Sequence, residues 1–198
     1  MIKNVIFDIG NVLLDFCWKD HIARFGFQGE KADRIAQAMM LGPIWPKLDL
    51  GLESDEDILE QFVAHTPELE QEIRLVFSDL STIVREYEGS VDWIESLKAR
   101  GYHTYYLSNY GERIRREASK ELSFLSHMDG GIMSSTVHLA KPDPAIYQTL
   151  LDRYGLKAEE CVFLDDTVRN VEAAQALGIA GIVVTSQEQA KKELETLL

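Results

Sequence analysis

Five polar residues, spread over the whole chain, have the chemistry that phosphoryl transfer requires. They are Asp8, Ser108, Lys141 and the adjacent pair Asp165 and Asp166. One carboxylate can attack phosphorus, and further carboxylates supply the hard oxygen ligands that Mg²⁺ prefers. A hydroxyl and an ammonium group can hold the phosphoryl oxygens. Each residue alone has an ordinary explanation as a turn or surface residue, but their occurrence together favours a common site.

Three of these positions directly follow short apolar runs that predict buried β-strands. The run 5–7 leads into Asp8, the run 102–107 leads into Ser108, and the run 161–164 leads into the acidic pair. In open α/β sheets, ligands bind outside the carboxyl ends of the strands, where the strand order reverses. We therefore expect these residues to converge on one crevice, together with Lys141.

Predicted helices and strands alternate from residue 91 onwards. The predicted helices cover 91–100, 112–122, 144–154, 168–177 and 187–197, and the predicted strands cover 102–107, 131–133, 161–164 and 180–184. Alternation of this kind predicts a parallel sheet covered by helices on both faces, a three-layer α/β architecture of the Rossmann type.

The sequence pattern of the segment 16–87 predicts helices throughout, because it contains no apolar run of the length of a strand. Ser54 and Asp57 have the spacing of a helix N-terminus. We therefore expect a core made of residues 1–15 and 88–198, with a small all-helical unit, 16–87, inserted after the first strand. Four of its residues are candidates for facing a ligand, although such residues more often pack or lie at the surface. They are Trp18, His21, Trp45 and Lys47.

The composition limits the partners of the protein. The formal net charge is −13, from 33 acidic and 20 basic residues, which disfavours binding to nucleic acid or to anionic membranes. A phosphorylated substrate would need local cations, such as a divalent metal. Two distant cysteines provide neither a disulfide framework nor a zinc site. We find no signal-peptide pattern and no apolar run near the ~20 residues of a membrane span, and we expect a cytoplasmic protein.

Four stretches of the sequence resemble the haloacid dehalogenase (HAD) superfamily, whose members are mostly phosphatases. They are Phe-Asp-Ile-Gly-Asn-Val-Leu, Tyr-Leu-Ser-Asn, Ala-Lys-Pro-Asp-Pro-Ala-Ile-Tyr and Phe-Leu-Asp-Asp-Thr-Val-Arg-Asn-Val-Glu-Ala-Ala. The segment 16–87 resembles the helical cap of that family. The first stretch is most similar to bacterial sugar-phosphate phosphatases of the α-glucose-1-phosphate type. The resemblance implies Mg²⁺-dependent hydrolysis of phosphate monoesters, of small sugar phosphates or similar metabolites, through an aspartyl-phosphate.

The resemblance also implies a role for each matched residue at the phosphoryl group. Asp8 attacks phosphorus, while Ser108 and Asn109 bind the phosphoryl oxygens. Lys141 balances the charge of Asp8 and of the group being transferred.

For the metal, the resemblance implies a second set of roles. Mg²⁺ is held by Asp8, the carbonyl of Gly10 and Asp166. Asp165 is either a further ligand or an outer-sphere partner, and Asn170 belongs to the outer shell of the metal.

The sequence departs from the family pattern at Gly10. Most phosphatases of the family have a second Asp two positions after the nucleophile, which serves as general acid and base. General acid–base catalysis typically contributes 10²–10⁴-fold, so its loss should slow turnover without preventing it. Asp15 is a nearby carboxylate that could compensate, although a turn or hinge role for it is the simpler explanation.

Two other functions remain open. A dehalogenase would also use Asp8 and Lys141, but it attacks carbon and needs no Mg²⁺, so the pair Asp165 and Asp166 favours the phosphatase. A weakened enzyme that binds metal and a phosphorylated ligand for regulation is motivated by Gly10 and opposed by the intact acidic residues. A receiver domain is excluded, because its acidic pair precedes its phospho-accepting Asp. The natural substrate and the oligomeric state are not specified by the sequence.

Overall fold

The computed structural model describes residues 1–198, which form seven strands and ten α-helices. The strands are β1 (Asn4–Phe7), β2 (Leu14–Phe16), β3 (Val84–Glu86), β4 (His103–Ser108), β5 (Gly130–Met133), β6 (Cys161–Asp165) and β7 (Ala180–Val183). The α-helices are α1 (Trp18–Arg24), α2 (Gly29–Ala38), α3 (Trp45–Leu50), α4 (Asp55–His65), α5 (Glu70–Phe77), α6 (Ser90–Ala99), α7 (Glu112–Glu117), α8 (Pro144–Tyr154), α9 (Val168–Ala176) and α10 (Gln187–Glu195). Short 3₁₀ segments cover Pro67–Leu69, Ser119–His127, Ser134–Thr136 and Ala158–Glu160. No helix combines the length and the apolar composition that crossing a bilayer requires.

The central sheet has five parallel strands in the order β5-β4-β1-β6-β7. β1 lies in the middle, where Phe7 pairs with Tyr106 of β4 and with Leu164 of β6. The strand order reverses at β1, since the chain continues to β4 on one side and to β6 on the other. The predicted parallel α/β sheet is confirmed, and its ligand crevice is expected at the carboxyl end of β1.

Helices cover both faces of this sheet. Successive side chains of β1 point to opposite faces and pack against different helices. Phe7 belongs to the larger apolar core and packs edge-on against Trp93 of α6, with 4.9 Å between ring centroids. Ile6 belongs to a second core on the opposite face, which includes Tyr147 of α8 and Phe163 of β6. The fold is therefore the three-layer α/β architecture that the alternation predicts.

The segment 16–87 contains helices α1–α5, but it is not helical throughout. β3 pairs antiparallel with β2, so that Leu14 lies opposite Glu86 and Phe16 lies opposite Val84. The expectation of an all-helical segment is wrong at these ends. Each strand has three residues and finds its partner some 70 positions away, so neither produces a periodic signal of its own. This ribbon joins the helices of the segment to the sheet.

The predicted helix ends are confirmed in part. Ser54 Oγ accepts a hydrogen bond from the backbone N–H of Asp57 at the start of α4. α8 ends at Tyr154 and is capped by Gly155, whose φ of 63° lies in the left-handed region. The predicted helix 112–122 is too long, because α7 ends at Glu117 and a 3₁₀ segment follows.

Tertiary contacts account for this early end of α7. Glu117 Oε2 accepts a hydrogen bond from the backbone N–H of Leu80, and Glu121 Oε2 accepts one from Glu86. These carboxylates hold this part of the chain against Leu80 and β3, and the backbone departs from helical geometry at Leu122, directly after Glu121.

Candidate active site

The structure brings the predicted residues together at the carboxyl edge of the sheet. They surround a cavity of about 270 Å³ beside the end of β1. The predicted residues that line it are Asp8, Gly10, Ser108, Asn109, Lys141, Asp166 and Asn170. Asp165 does not line the cavity, because it is fully buried beneath it. The expected convergence of strand ends on one crevice is therefore observed.

Lys141 lies between two carboxylates. Its Nζ is 2.8 Å from Asp8 Oδ1 and 2.6 Å from Asp165 Oδ2, and its side chain is 1% exposed. Asn109 fixes the backbone of Lys141 from the neighbouring loop: Asn109 Nδ2 donates to the Lys141 carbonyl, and the Lys141 N–H donates to Asn109 Oδ1. The side chain of Asn109 is thus used to position Lys141, and a phosphate contact at this residue would come from its main chain.

Asp8 directly follows β1 at the carboxyl edge of the sheet. Its Oδ1 accepts a hydrogen bond of 2.7 Å from the backbone N–H of Ile9. Burial raises the pKa of Asp8 to about 7, Lys141 acts in the opposite direction, and the charge of Asp165 raises it further. Burial also acts to lower the pKa of Lys141, but the two carboxylates outweigh it and raise that pKa above its usual value. Lys141 therefore stays an ammonium ion.

The two adjacent aspartates have different surroundings. Asp165 Oδ2 accepts a hydrogen bond from Lys141, while its Oδ1 accepts hydrogen bonds from the Thr167 N–H and from Asn170 Nδ2. Asp166 is only partly buried, and its Oδ2 accepts a hydrogen bond of 2.8 Å from Asn11 Nδ2. Asp165 thus organises Lys141 and the start of α9, and Asp166 faces the cavity.

The donor set fits a hard divalent cation. Carboxylate oxygens of Asp8, Asp165 and Asp166 lie within 4.8 Å of one another, with no sulfur or imidazole ligand among them. The cluster contains three carboxylates and one ammonium group, that of Lys141. A cation with two positive charges would therefore balance its net charge. Asn170 Oδ1 is buried without a hydrogen-bond partner, which leaves an acceptor for a donor in the site.

Gly10 lines the cavity directly beside this cluster. A Cβ atom at position 10 would meet no atom within 4 Å, and the residue does not have a positive φ. The neighbouring Asn11 has a φ of 55° instead, a conformation that Asn tolerates better than most residues. The loop therefore does not require glycine at position 10 for steric reasons.

Asp15, the candidate for replacing the missing acid, lies outside the cavity. Its carboxylate on β2 is 3.5 Å from Arg85 Nη2 and accepts a hydrogen bond from Cys17 Sγ. This position agrees with the simpler explanation, a residue of the ribbon that connects the two parts of the chain.

Among the four ligand-facing candidates of segment 16–87, Trp45 lines the cavity and the others do not. His21 is buried, with its Nδ1 3.0 Å from Thr82 Oγ1, and Lys47 donates a hydrogen bond to Gln61 at the surface. Trp18 packs against the larger apolar core.

Two titratable residues that the motifs did not indicate also line the cavity. Asp49 comes from the short helix α3, and Tyr110 follows the Ser-Asn pair after β4. The Tyr110 hydroxyl is buried without a hydrogen-bond partner. The only sequence signal for Asp49 is a lone acid between two leucines just before Gly51.

A family profile described as haloacid dehalogenase-like hydrolase matches residues 2–178. The chain belongs to this family. A sesquiterpene phosphatase of Aspergillus oryzae, astK, is 26% identical over 99% of this chain and 96% of its own length. The chain therefore has a phosphatase among its full-length HAD relatives.

Other relatives are much longer than this chain. Acyl-CoA dehydrogenase family member 10 of Mus musculus is 32% identical over 99% of this chain, which spans only 19% of that protein. Among solved structures, a HAD family enzyme of Bacteroides thetaiotaomicron in complex with magnesium and inorganic phosphate superposes with a TM-score of 0.71. It is 22% identical, and the match covers 94% of this chain and 96% of that one. This last likeness shows the fold.

Proposed function

We propose that the protein hydrolyses small phosphate monoesters with Mg²⁺ as cofactor, through an aspartyl-phosphate formed on Asp8. The observation that carries this proposal is the position of Asp8 at the cavity, 2.8 Å from Lys141 Nζ and beside Ser108 and Asp166. A carboxylate, a buried ammonium ion, a hydroxyl and a hard oxygen cluster are the groups that phosphoryl transfer through a covalent intermediate needs. The phosphatase relative supports the same reaction.

In this proposal, the residues of the chain bind and orient the phosphoryl group. Asp8 attacks phosphorus, and the ammonium of Lys141 balances the charge that builds up around the group in transfer. The hydroxyl of Ser108 holds a phosphoryl oxygen. Asn109 contributes by fixing the backbone of Lys141 through its two hydrogen bonds.

Asp8, Asp166 and the carbonyl of Gly10 would hold Mg²⁺, with Asp165 as an outer-sphere partner. Asp165 suits that role because both of its oxygens already accept hydrogen bonds from the protein. Mg²⁺ would neutralise charge on the phosphoryl group and on Asp8. Asn170, whose Oδ1 has no partner, would complete the outer shell of the metal.

The apolar part of the cavity lining supports a compact leaving group with an apolar face. It consists of Leu14, Phe16, Trp45, Val84 and Ile114. Three of them belong to the segment 16–87, so we propose that this segment acts as a helical cap that selects the substrate. A volume of about 270 Å³ fits a small metabolite, and sugar phosphates, whose rings have an apolar face, are among the candidates.

The experiment that tests this function is a screen of phosphate monoesters with purified protein. The panel contains sugar 1- and 6-phosphates, a prenyl monophosphate, an aryl phosphate and 2-chloropropionate. We expect phosphate release that stops in excess chelator and returns with Mg²⁺. The Asp8→Asn variant should fold and lose turnover almost completely, because an amide is a poor nucleophile and a weaker ligand.

The two other functions give different results in the same screen. Chloride release from 2-chloropropionate in the presence of chelator would identify a dehalogenase. Binding of Mg²⁺ and phosphate esters without any turnover would identify a regulatory binding protein. Either result would overturn the phosphatase proposal.

A further inference from the structure

Hydrolysis through an aspartyl-phosphate requires a proton donor for the leaving oxygen and a proton acceptor for the attacking water. Position 10 has no side chain to provide them. Six titratable side chains line the cavity: Asp8, Asp49, Tyr110, Lys141, Asp166 and Arg169. Asp8 is the nucleophile in the proposed function, Lys141 is locked between two carboxylates, and Asp166 belongs to the acidic cluster.

Two of the remaining groups are poorly suited to moving a proton in both directions. Arg169 offers only hydrogen-bond donors, because a guanidinium group has no acceptor atom. Burial raises the pKa of Tyr110 above its usual value, so its hydroxyl is a weak acid and is not available as a base near neutral pH. Asp49 is the carboxyl group that remains.

The backbone around Asp49 is anchored to the loop that follows β5. Ser134 Oγ donates a hydrogen bond of 2.5 Å to the Asp49 carbonyl, and His138 Nδ1 lies 2.9 Å from the Leu50 carbonyl. α3 then ends at Gly51, where a Cβ would come within 3.0 Å of Ser135. These contacts come from the residues that follow β5. They hold the end of α3, which belongs to the proposed cap, so that the carboxyl group of Asp49 lines the cavity.

The surroundings of this carboxyl group suit proton transfer near neutral pH. Burial raises the pKa of Asp49 to about 7, the Gly111 backbone N–H acts to lower it, and the charge of Asp8 raises it. Lys141 lowers it more weakly. Both the acid and the base form of Asp49 are therefore populated at neutral pH.

We propose that Asp49 is the general acid and base of the reaction, a catalytic role that rests on the proposed phosphatase function. In the first step, Asp8 forms a bond to phosphorus, the bond from phosphorus to the leaving oxygen breaks, and Asp49 gives its proton to that oxygen. In the second step, the Asp49 carboxylate takes a proton from water, whose oxygen attacks phosphorus. The bond to Asp8 breaks, inorganic phosphate leaves, and Asp49 is protonated again.

Asp49→Asn tests this role, because the amide keeps the shape and an acceptor for the Gly111 N–H but cannot transfer the proton. The substrates are propyl phosphate, with a poor leaving group, and 4-nitrophenyl phosphate, with a good one. We expect kcat/KM for propyl phosphate to fall about 10²–10⁴-fold. For 4-nitrophenyl phosphate, kcat/KM should change by less than about tenfold, since its leaving group needs no proton.

The second step supplies another signature. Asp49→Asn should show a burst of one 4-nitrophenolate per enzyme, followed by slow turnover, because water is no longer activated. Asp15→Asn is the matched control, because Asp15 is an acidic residue of β2 that does not line the cavity, and the variant should behave like the wild type. Circular dichroism of each variant verifies its fold, and Asp49→Ala with added formate gives an independent test, with rescue of propyl phosphate hydrolysis expected.

The outcomes separate this role from the proposed function. If the wild type hydrolyses neither ester with Mg²⁺, the phosphatase function is wrong. If the wild type is active and folded Asp49→Asn loses equal factors in kcat/KM for both esters, or loses nothing, the role of Asp49 is wrong. A parallel loss in Asp15→Asn alone would assign the proton transfer to Asp15.

Discussion

Lys141 Nζ lies 2.8 Å from Asp8 Oδ1 and forms with it a buried ion pair. The same nitrogen lies 2.6 Å from Asp165 Oδ2, so one ammonium ion serves two carboxylates. Because one positive charge cannot neutralise both, and Asp166 adds a third carboxylate, the cluster keeps an excess of negative charge. This excess of negative charge would attract a divalent cation and would repel a phosphoryl anion that arrived without one.

We predict that Lys141→Ala abolishes phosphate release and lowers the free energy of unfolding by about 3–5 kcal/mol, because it leaves two buried carboxylates without a counter-charge. Urea denaturation at a pH near 8 and the monoester assay measure the two effects. Lys3→Ala is the control, since Lys3 pairs with Glu160 at 2.7 Å on the surface. That pair is exposed to solvent and should contribute far less to stability than the buried ion pair. A wild-type urea midpoint for Lys141→Ala would contradict the prediction.

The adjacent aspartates should give different phenotypes. Asp166→Asn should fold like the wild type and require at least about tenfold more Mg²⁺ for half-maximal activity, because it weakens a proposed metal ligand. Asp165→Asn should instead lower the free energy of unfolding by about 1.5–3 kcal/mol, because it removes the charged acceptor for Lys141 and for the Thr167 N–H. Mg²⁺ titrations and urea denaturation distinguish the two, and exchanged phenotypes would reverse the assigned roles.

The sequence predicts the sheet and most of the acidic site for one physical reason. Asp8, Ser108 and Asp165 each directly follow or end a buried strand, and parallel strands place such ends at a single edge. Register within the sheet then fixes the distances between them. The positions of these three residues along their strands therefore predict that they meet at one site.

The parts that sequence reasoning missed depend on contacts between distant segments. β2 and β3 have three residues each and exist because they pair with each other. Asp49 is equally inconspicuous in the sequence, and it reaches the cavity because Ser134 and His138 anchor the end of α3. Local periodicity contains no record of such contacts.

A pH-dependent stability difference should follow from the burial of Asp49. Its pKa is about 7 in the folded protein, compared with an ordinary value of 3.8. At a pH between these two values, the folded protein keeps a proton on Asp49 that the unfolded chain has released. The associated stability is present below the lower pKa and is lost as the pH rises through the higher one. Asp49→Asn should therefore gain stability relative to the wild type on going from about pH 5 to about pH 8.

For this partly exposed carboxyl group we expect a relative gain of roughly 1–3 kcal/mol. Urea denaturation of both proteins at the two pH values measures it without any assay of activity. Asp15→Asn, measured in parallel, should show no comparable gain. A stability difference between Asp49→Asn and the wild type that does not change with pH would show that Asp49 has an ordinary pKa.

Position 10 allows the missing carboxylate to be restored. A Cβ there meets no atom within 4 Å, and φ is not positive, so Gly10→Asp should fold normally. If Asp49 already transfers the proton, the new carboxylate adds little, and the rate of propyl phosphate hydrolysis should rise less than about tenfold. In the Asp49→Asn background, the same substitution should raise that rate by more than about tenfold, because it supplies the group that the variant lacks. An equal effect of Gly10→Asp in both backgrounds would mean that the two carboxylates act independently, and Asp49 would then have no part in the proton transfer.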